Sequence, residues 1–301
     1  MANEEDSLSS QEGPDRVNYA TGVLLGAEDF QAEQDYHRSR LARAMAYAMG
    51  HGTVAGLEVV HEPEQVADAT TAARSERLLV EPGLAIDRIG RMIEVIKPRC
   101  LKLAEWYEAQ SPQLLRQAWH DSGNLWTGSA SGVAADLFVR FVVCEHGKTP
   151  TFASDTFDSF DSIIAARLRD GFEMELVLRQ ETNPALPQNQ WPDFADDSAN
   201  LRDAIFNAWR EGSAFSTSQG LDPLPEHVPG QDTSSLFLAR VLLPADQGPA
   251  GQRPARRLAE TVEVRNELRR CVVASTALAR WLEIKVIAAN YISGVQGGSN
   301  E

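Results

Sequence analysis

Between Ala27 and Met49 apolar residues recur every three to four positions, with no Pro or Gly among them, which predicts an amphipathic helix. Phe30, Gln34, His37, Leu41, Ala44 and Ala48 make one face, widened by Tyr36, Met45 and Tyr47, and Glu33, Asp35, Arg38, Arg40 and Arg43 make the other. Gly26 precedes the helix, and Glu28 and Asp29 occupy its first turn, where carboxylates meet the positive end of the helix dipole. Gly50 and Gly52 supply the stop. The β-branched run Thr53–Val60 then predicts a strand. Leu78–Val80, Leu84–Ile86 and Met92–Ile96 predict three more short strands, joined by turns at Pro82-Gly83 and Asp87–Gly90. Cys100–Gln110 predicts a short helix and Pro112–His120 a further helical turn. Leu137–Cys144, almost continuously apolar, predicts a strand inside a sheet, and Phe172–Arg179 alternates like a half-buried antiparallel strand. Gly147–Asp161 and residues 181–199 read as loops, Asn200–Glu211 as a short helix, and Ser235–Leu243 as a second core strand.

Arg256–Tyr291 predicts a long C-terminal helix. Leu258, Val262, Arg265, Leu268, Val272, Thr276, Ala279, Leu282 and Val286 trace a coiled-coil-like stripe along it. Its apolar members (Leu258, Val262, Leu268, Val272, Ala279, Leu282 and Val286) form the candidate interaction surface. That helix either packs on its own domain or pairs with another subunit. The fold class expected from these patterns is α+β, a central antiparallel meander or sheet with a long helix near each end. The chain divides into a polar tail (1–15), an α+β body (16–245), a linker (246–257), the long helix (258–292) and a second tail (293–301).

Composition narrows the functions. The 301 residues carry a net charge of −15 and 43% hydrophobic residues. The chain is long and apolar enough for a substantial core. Its charge and its lack of a basic run disfavour nucleic acid and anionic membranes as partners. No apolar run approaches the ~20 residues that span a bilayer. The three widely spaced cysteines, Cys100, Cys144 and Cys271, suit a reducing compartment, and the acidic N-terminus does not resemble a signal peptide. The expected location is the cytoplasm at synthesis.

Several stretches imitate functional motifs. Gly50–Gly56 has dinucleotide-loop spacing but joins a helix to a following strand, the reverse of the order a phosphate cradle needs. Gly147-Lys148-Thr149 follows a strand, yet Val142 stands where a P-loop needs its first Gly. Gly128–Gly132 has the outline of a nucleophile elbow with Ala130 at its centre. Cys144 and His146 share one strand face but lack an orienting third group and the further ligands zinc needs. Asp29, Glu33 and His37 lie one turn apart and read as a packed or solvated face. No catalytic, cofactor or metal site is expected from the residues.

One resemblance adds to this. Arg16, Val17, Tyr19, Gly22, Leu25, Asp29, Phe30, Glu33, Gln34, Tyr36, His37 and Leu41 resemble the opening of a group of bacterial proteins associated with phage-tail-like contractile injection systems. Further blocks follow in order: His51–Val59, Val80–Asp87 with Gly90, Arg91 and Ile93, Leu137–Glu145 with Thr149 and Pro150, Leu168–Leu176, and Ser235–Val241. The resemblance spans about residues 16–245. Gly50-His51 departs from it, and so do some aliphatic residues at its aromatic positions. It implies a non-enzymatic structural subunit in a baseplate, cage or cap-adaptor layer, with sheath, tube or baseplate proteins as partners and a homo-oligomer or ring as its assembled form. An enzyme, or a cargo or regulatory protein of the same particle, is the alternative.

Overall fold

In the chain's first half, three antiparallel strands form a meander, and each is broken once. The structure is a computed structural model describing residues 15–67, 72–121, 131–150, 163–188, 203, 205–206, 221–273, 278 and 280. Helix α1 spans Ala27–Ala48. The first broken strand is β1 (Gly52–Gly56) with β2 (Val59–Glu62), the second β3 (Arg77–Val80) with β4 (Gly83–Ile86), and the third β5 (Met92–Val95) with β6 (Arg99–Lys102). One half pairs in the order β1-β4-β5 and the other in the order β2-β3-β6. At the bend Gly56 and Leu57 have φ of 63° and 57°. A Cβ on Gly56 would lie 2.1 Å from the Pro82 carbonyl oxygen, so only glycine allows the two chains to cross there. Pairing continues through the bend, where Leu57 N–H donates to Pro82 O (3.3 Å) and Glu81 N–H to Glu58 O (2.9 Å).

Helices α2 (Leu103–Ala109) and α3 (Pro112–Gln117) link the meander to a larger sheet. Helix α3 starts with Ser111 capping Leu114 N–H and Pro112 at the first helical position. The sheet contains β7 (Trp119–His120), β8 (Gly132–Pro150), β9 (Ile163–Leu178), β10 (Leu236–Asp246), β11 (Ala255–Arg256) and β12 (Glu263–Arg265). Strand β8 is central, with β10 on one edge and β7 and β9 on the other, while β11 and β12 pair with the far edge of β10. Alternation along β8 sends Val133, Ala135, Leu137 and Val139 into the main core. There they meet Leu57, Val59, Leu78, Val80, Ile93 and Val95 of the meander and Tyr107 and Leu115 of the helices.

The expectation of an α+β fold with long helices near both ends is overturned: the protein is mostly β-sheet, and no long C-terminal helix is present among the described residues. The stripe begins in a turn and runs through a short strand, β12. Val262 is in the main core, and Val272 is buried beside the Thr53–Cys271 bridge. Leu258 is exposed, and Leu268 lies in a short 3-10 turn, Asn266–Leu268. Ala279, Leu282 and Val286 lie outside the described residues, as do the two tails except Asp15 and most of the expected 200–211 helix. The physical reason is competition for a sheet edge. Thr261–Arg265 also alternates with period two, and pairing of Arg240–Leu242 with Glu263–Arg265 satisfies the open edge of β10. Part of one expected loop also changes character, since β8 continues through Gly147 to Pro150.

Candidate functional site

The buried charges are engaged in holding the layers together. Asp136 on β8 faces Arg240 on β10 in register. Its oxygens accept from Arg240 Nε (2.7 Å), Arg240 Nη2 (2.9 Å) and Arg179 Nη1 (2.8 Å). All three side chains are buried, so Arg240 depends on this carboxylate, while Arg179 shares it with that of Glu181, which accepts from its Nε (3.2 Å) and Nη2 (3.1 Å). Arg240 also donates to the Pro184 carbonyl and Arg179 to that of Glu226. A second cluster joins the meander to the C-terminal strands. Glu76 accepts from His61 Nε2 (2.9 Å) and from both terminal nitrogens of Arg256 (2.6 and 2.8 Å). Burial disfavours its charge, but these partners outweigh burial and hold the carboxyl down at about 2. A third cluster places His51 Nε2 2.7 Å from Arg270 Nη1, which lies 3.2 Å from Glu226 Oε1. Burial and then the charges of Arg270 and Arg88 push His51 down to about 3, so the imidazole is neutral at ordinary pH.

A cleft of about 670 Å³ lies between α2 and β9. Leu101, Trp106, Met174, Leu176 and Leu178 line it, with Glu175, Gln180 and Glu181 at the polar positions. Trp106 Nε1–H donates to Leu176 O (3.1 Å), which satisfies part of the strand edge. Among the described residues, no group of three or more His, Cys, Asp and Glu side chains could hold a metal ion.

The residues singled out in the sequence that are among the described ones have definite places. Gly52 and Gly56 are the ends of β1. Gly147, Lys148 and Thr149 lie within β8, and Gly128 and Ala130 lie outside the described residues. Cys144 and His146 are exposed, opposite Arg169 and Arg167. Asp29 accepts from Gly26 N–H (2.8 Å), closing the start of α1. Glu33 accepts from the Tyr19 hydroxyl, which folds the preceding segment onto the helix. His37 lies edge-on to Tyr36.

Two surfaces emerge that the sequence did not mark as exposed. The first is α1. Its docked side is formed by Ser39 and Ala42, and Ala42 packs with Ile89 and Leu221. The chosen contact is the Gly90 turn, where a Cβ would lie 1.9 Å from the Ala42 carbonyl oxygen. Phe30, Gln34, His37, Leu41, Ala44 and Ala48 all face outward, with Phe30 52% and Leu41 56% exposed. Tyr19, Val23, Leu24 and Leu25 extend this apolar surface. The second is a ribbon. Strand β10 pairs with β8 only as far as Val139, whereas β8 and β9 stay paired to Pro150 and Ile163. Beyond Phe141 and Phe172 the ribbon carries exposed residues, Val143–Lys148 on one strand and Ala166–Asp170 on the other. A signal for α1 was present in the regular spacing of its apolar face, but periodicity alone does not say which face the body covers.

No protein-family model matches the chain, and no curated protein matches it. Among the described residues no helix is long and apolar enough to cross a membrane.

Proposed function

We propose that this protein is a structural, non-enzymatic assembly subunit of a phage-tail-like contractile injection particle. The motif blocks spread in order over residues 16–245 suggest the particle, and the β8–β9 ribbon is the observation that carries the assembly role. Among the described residues Arg140–Pro150 pairs only with Ile163–Glu173, and beyond the core residues Phe141 and Phe172 the ribbon projects past the rest of the sheet, reaching about 25 Å at ~3.3 Å per residue. A two-stranded ribbon is marginal alone in water. Its stability and purpose are explained together if it lies against a neighbouring subunit, where its open edges and exposed side chains gain partners. The buried charge clusters fit the same role, because they stiffen the body from which the ribbon extends.

The test is co-sedimentation with particles isolated from the native host. The subunit is expected to co-purify with sheath, tube or baseplate proteins. Replacing the ribbon beyond Val143 and Asp170 with a tight turn should leave a folded body that no longer enters particles. Isolated particles that lack the subunit would overturn the reading.

A further inference from the structure

We propose that the outward stripe of α1 is a homodimer seam, and that its occupant is α1 of a second copy running antiparallel. The inference builds on the reading of the protein as an assembly subunit and names one partner and one surface.

Three observations on the same helix carry it. The first is the period. Phe30, Gln34, His37, Leu41, Ala44 and Ala48 are spaced 4, 3, 4, 3 and 4 apart, the alternation of a heptad seam, which keeps one side of the helix facing a partner over these turns. A helix that packs only on its own domain shows a broader apolar face. Here the body holds the other side, at Ser39 and Ala42, and leaves the seam outward.

The second is charge order. The acids of α1 (Glu28, Asp29, Glu33 and Asp35) all precede its arginines (Arg38, Arg40 and Arg43). A parallel copy would align like with like, whereas an antiparallel copy sets the acidic half of each helix against the basic half of the other. The helix is therefore complementary to itself, as a two-fold interface requires.

The third is where the flanking charges fall. Glu33 and Arg40 occupy successive positions on the same flank, each just before a seam residue. Two-fold symmetry brings that flank of one helix against the same flank of its partner. With the dyad between Gln34 and His37, Phe30 packs on Leu41 of the second copy, Gln34 pairs with His37 across the centre, and Glu33 meets Arg40 twice. The central Gln–His layers fix the register, as isolated polar seam residues do in coiled coils. The Tyr19 hydroxyl bond to Glu33 and the Arg40 guanidinium over the Tyr36 ring hold these charges beside the seam.

Sedimentation velocity of the purified full chain over a concentration series tests this. Wild type is expected to form a dimer. Leu41→Asp, at an exposed position, should be a folded monomer by circular dichroism. Glu33→Arg and Arg40→Glu should each weaken self-association by about tenfold or more, since each places like charges across the seam twice. An equimolar mixture of the two variants should dimerise again, because one helix then carries two acids on that flank and the other two bases. A monomeric wild type, or a dimer indifferent to Leu41→Asp and to the charge variants, overturns the proposal. So does a monomer that binds a sheath, tube or baseplate protein through the stripe, because the occupant would then be that protein. Dimerisation is read on purified protein and particle entry on isolated particles, so failure of one does not count as failure of the other.

Discussion

The Asn266 side chain completes β2 as a strand would: Val59 N–H donates to its Oδ1 and its Nδ2–H donates to Val59 O, both at 2.9 Å. Val59 is buried. Asn266→Ala therefore strands a backbone donor and acceptor, at about 1–3 kcal/mol for each unsatisfied group. A urea unfolding midpoint lowered by at least that of one group is expected, and an unchanged midpoint would contradict the role.

His51 should make stability fall on mild acidification. Its folded value of about 3 lies below the ordinary imidazole value of 6.5, so below pH 6.5 the unfolded chain takes up a proton that the native state refuses. The stabilisation is whole above pH 6.5 and is lost progressively as pH falls towards 3, at up to about 1.4 kcal/mol per pH unit. Urea midpoints between pH 7 and pH 5 should drop more steeply for wild type than for His51→Gln.

Glu76 acts in a lower window. Its folded value of about 2 lies below 4.5, so its contribution is present above pH 4.5 and is lost as pH falls towards 2. The linkage corresponds to an upper bound on the order of 3 kcal/mol. The deficit of Glu76→Gln should be largest near pH 6 and shrink from pH 4.5 to pH 3. A deficit constant over that range would show that charge is not what the carboxylate contributes.

Gly90→Ala tests the seating of α1. Gly90 has φ +95° and its absent Cβ would meet the Ala42 carbonyl oxygen at 1.9 Å. Both strain and contact oppose alanine, and a cost of about 2 kcal/mol or more is expected. Trypsin should cut after Arg38, Arg40 and Arg43 sooner than in wild type, while the β body keeps its near-ultraviolet circular dichroism. Simultaneous loss of both signals would mean that the helix and body unfold together.

Removing Asp136 should be the most damaging of these changes. Asp136→Ala leaves the buried Arg240 without its carboxylate and Arg179 with only that of Glu181, which costs about 3–5 kcal/mol. The check is the thermal midpoint, or loss of folded protein on expression.

The sequence by itself determined the elements whose signals are local. Glycines and the early carboxylates set the ends of α1, Asp87–Gly90 set the turn between the second and third strands of the meander, and apolar runs marked β8 and β10; Pro82-Gly83 marked a bend inside the second strand and not the turn expected there. It did not determine the outcome between Leu258 and Val273. There a heptad-like spacing and a period-two alternation coexist, and only the open edge of β10 gave the strand its partner. Nor did it reveal that Arg140–Pro150 would outrun its neighbour, because strand length depends on what lies alongside. The seam of α1 shows the division most clearly. Its spacing and charge order are written in residues 27–48, but which side faces the body was decided by a distant turn, where Gly90 admits the backbone at Ala42 and leaves Phe30 and Leu41 outside.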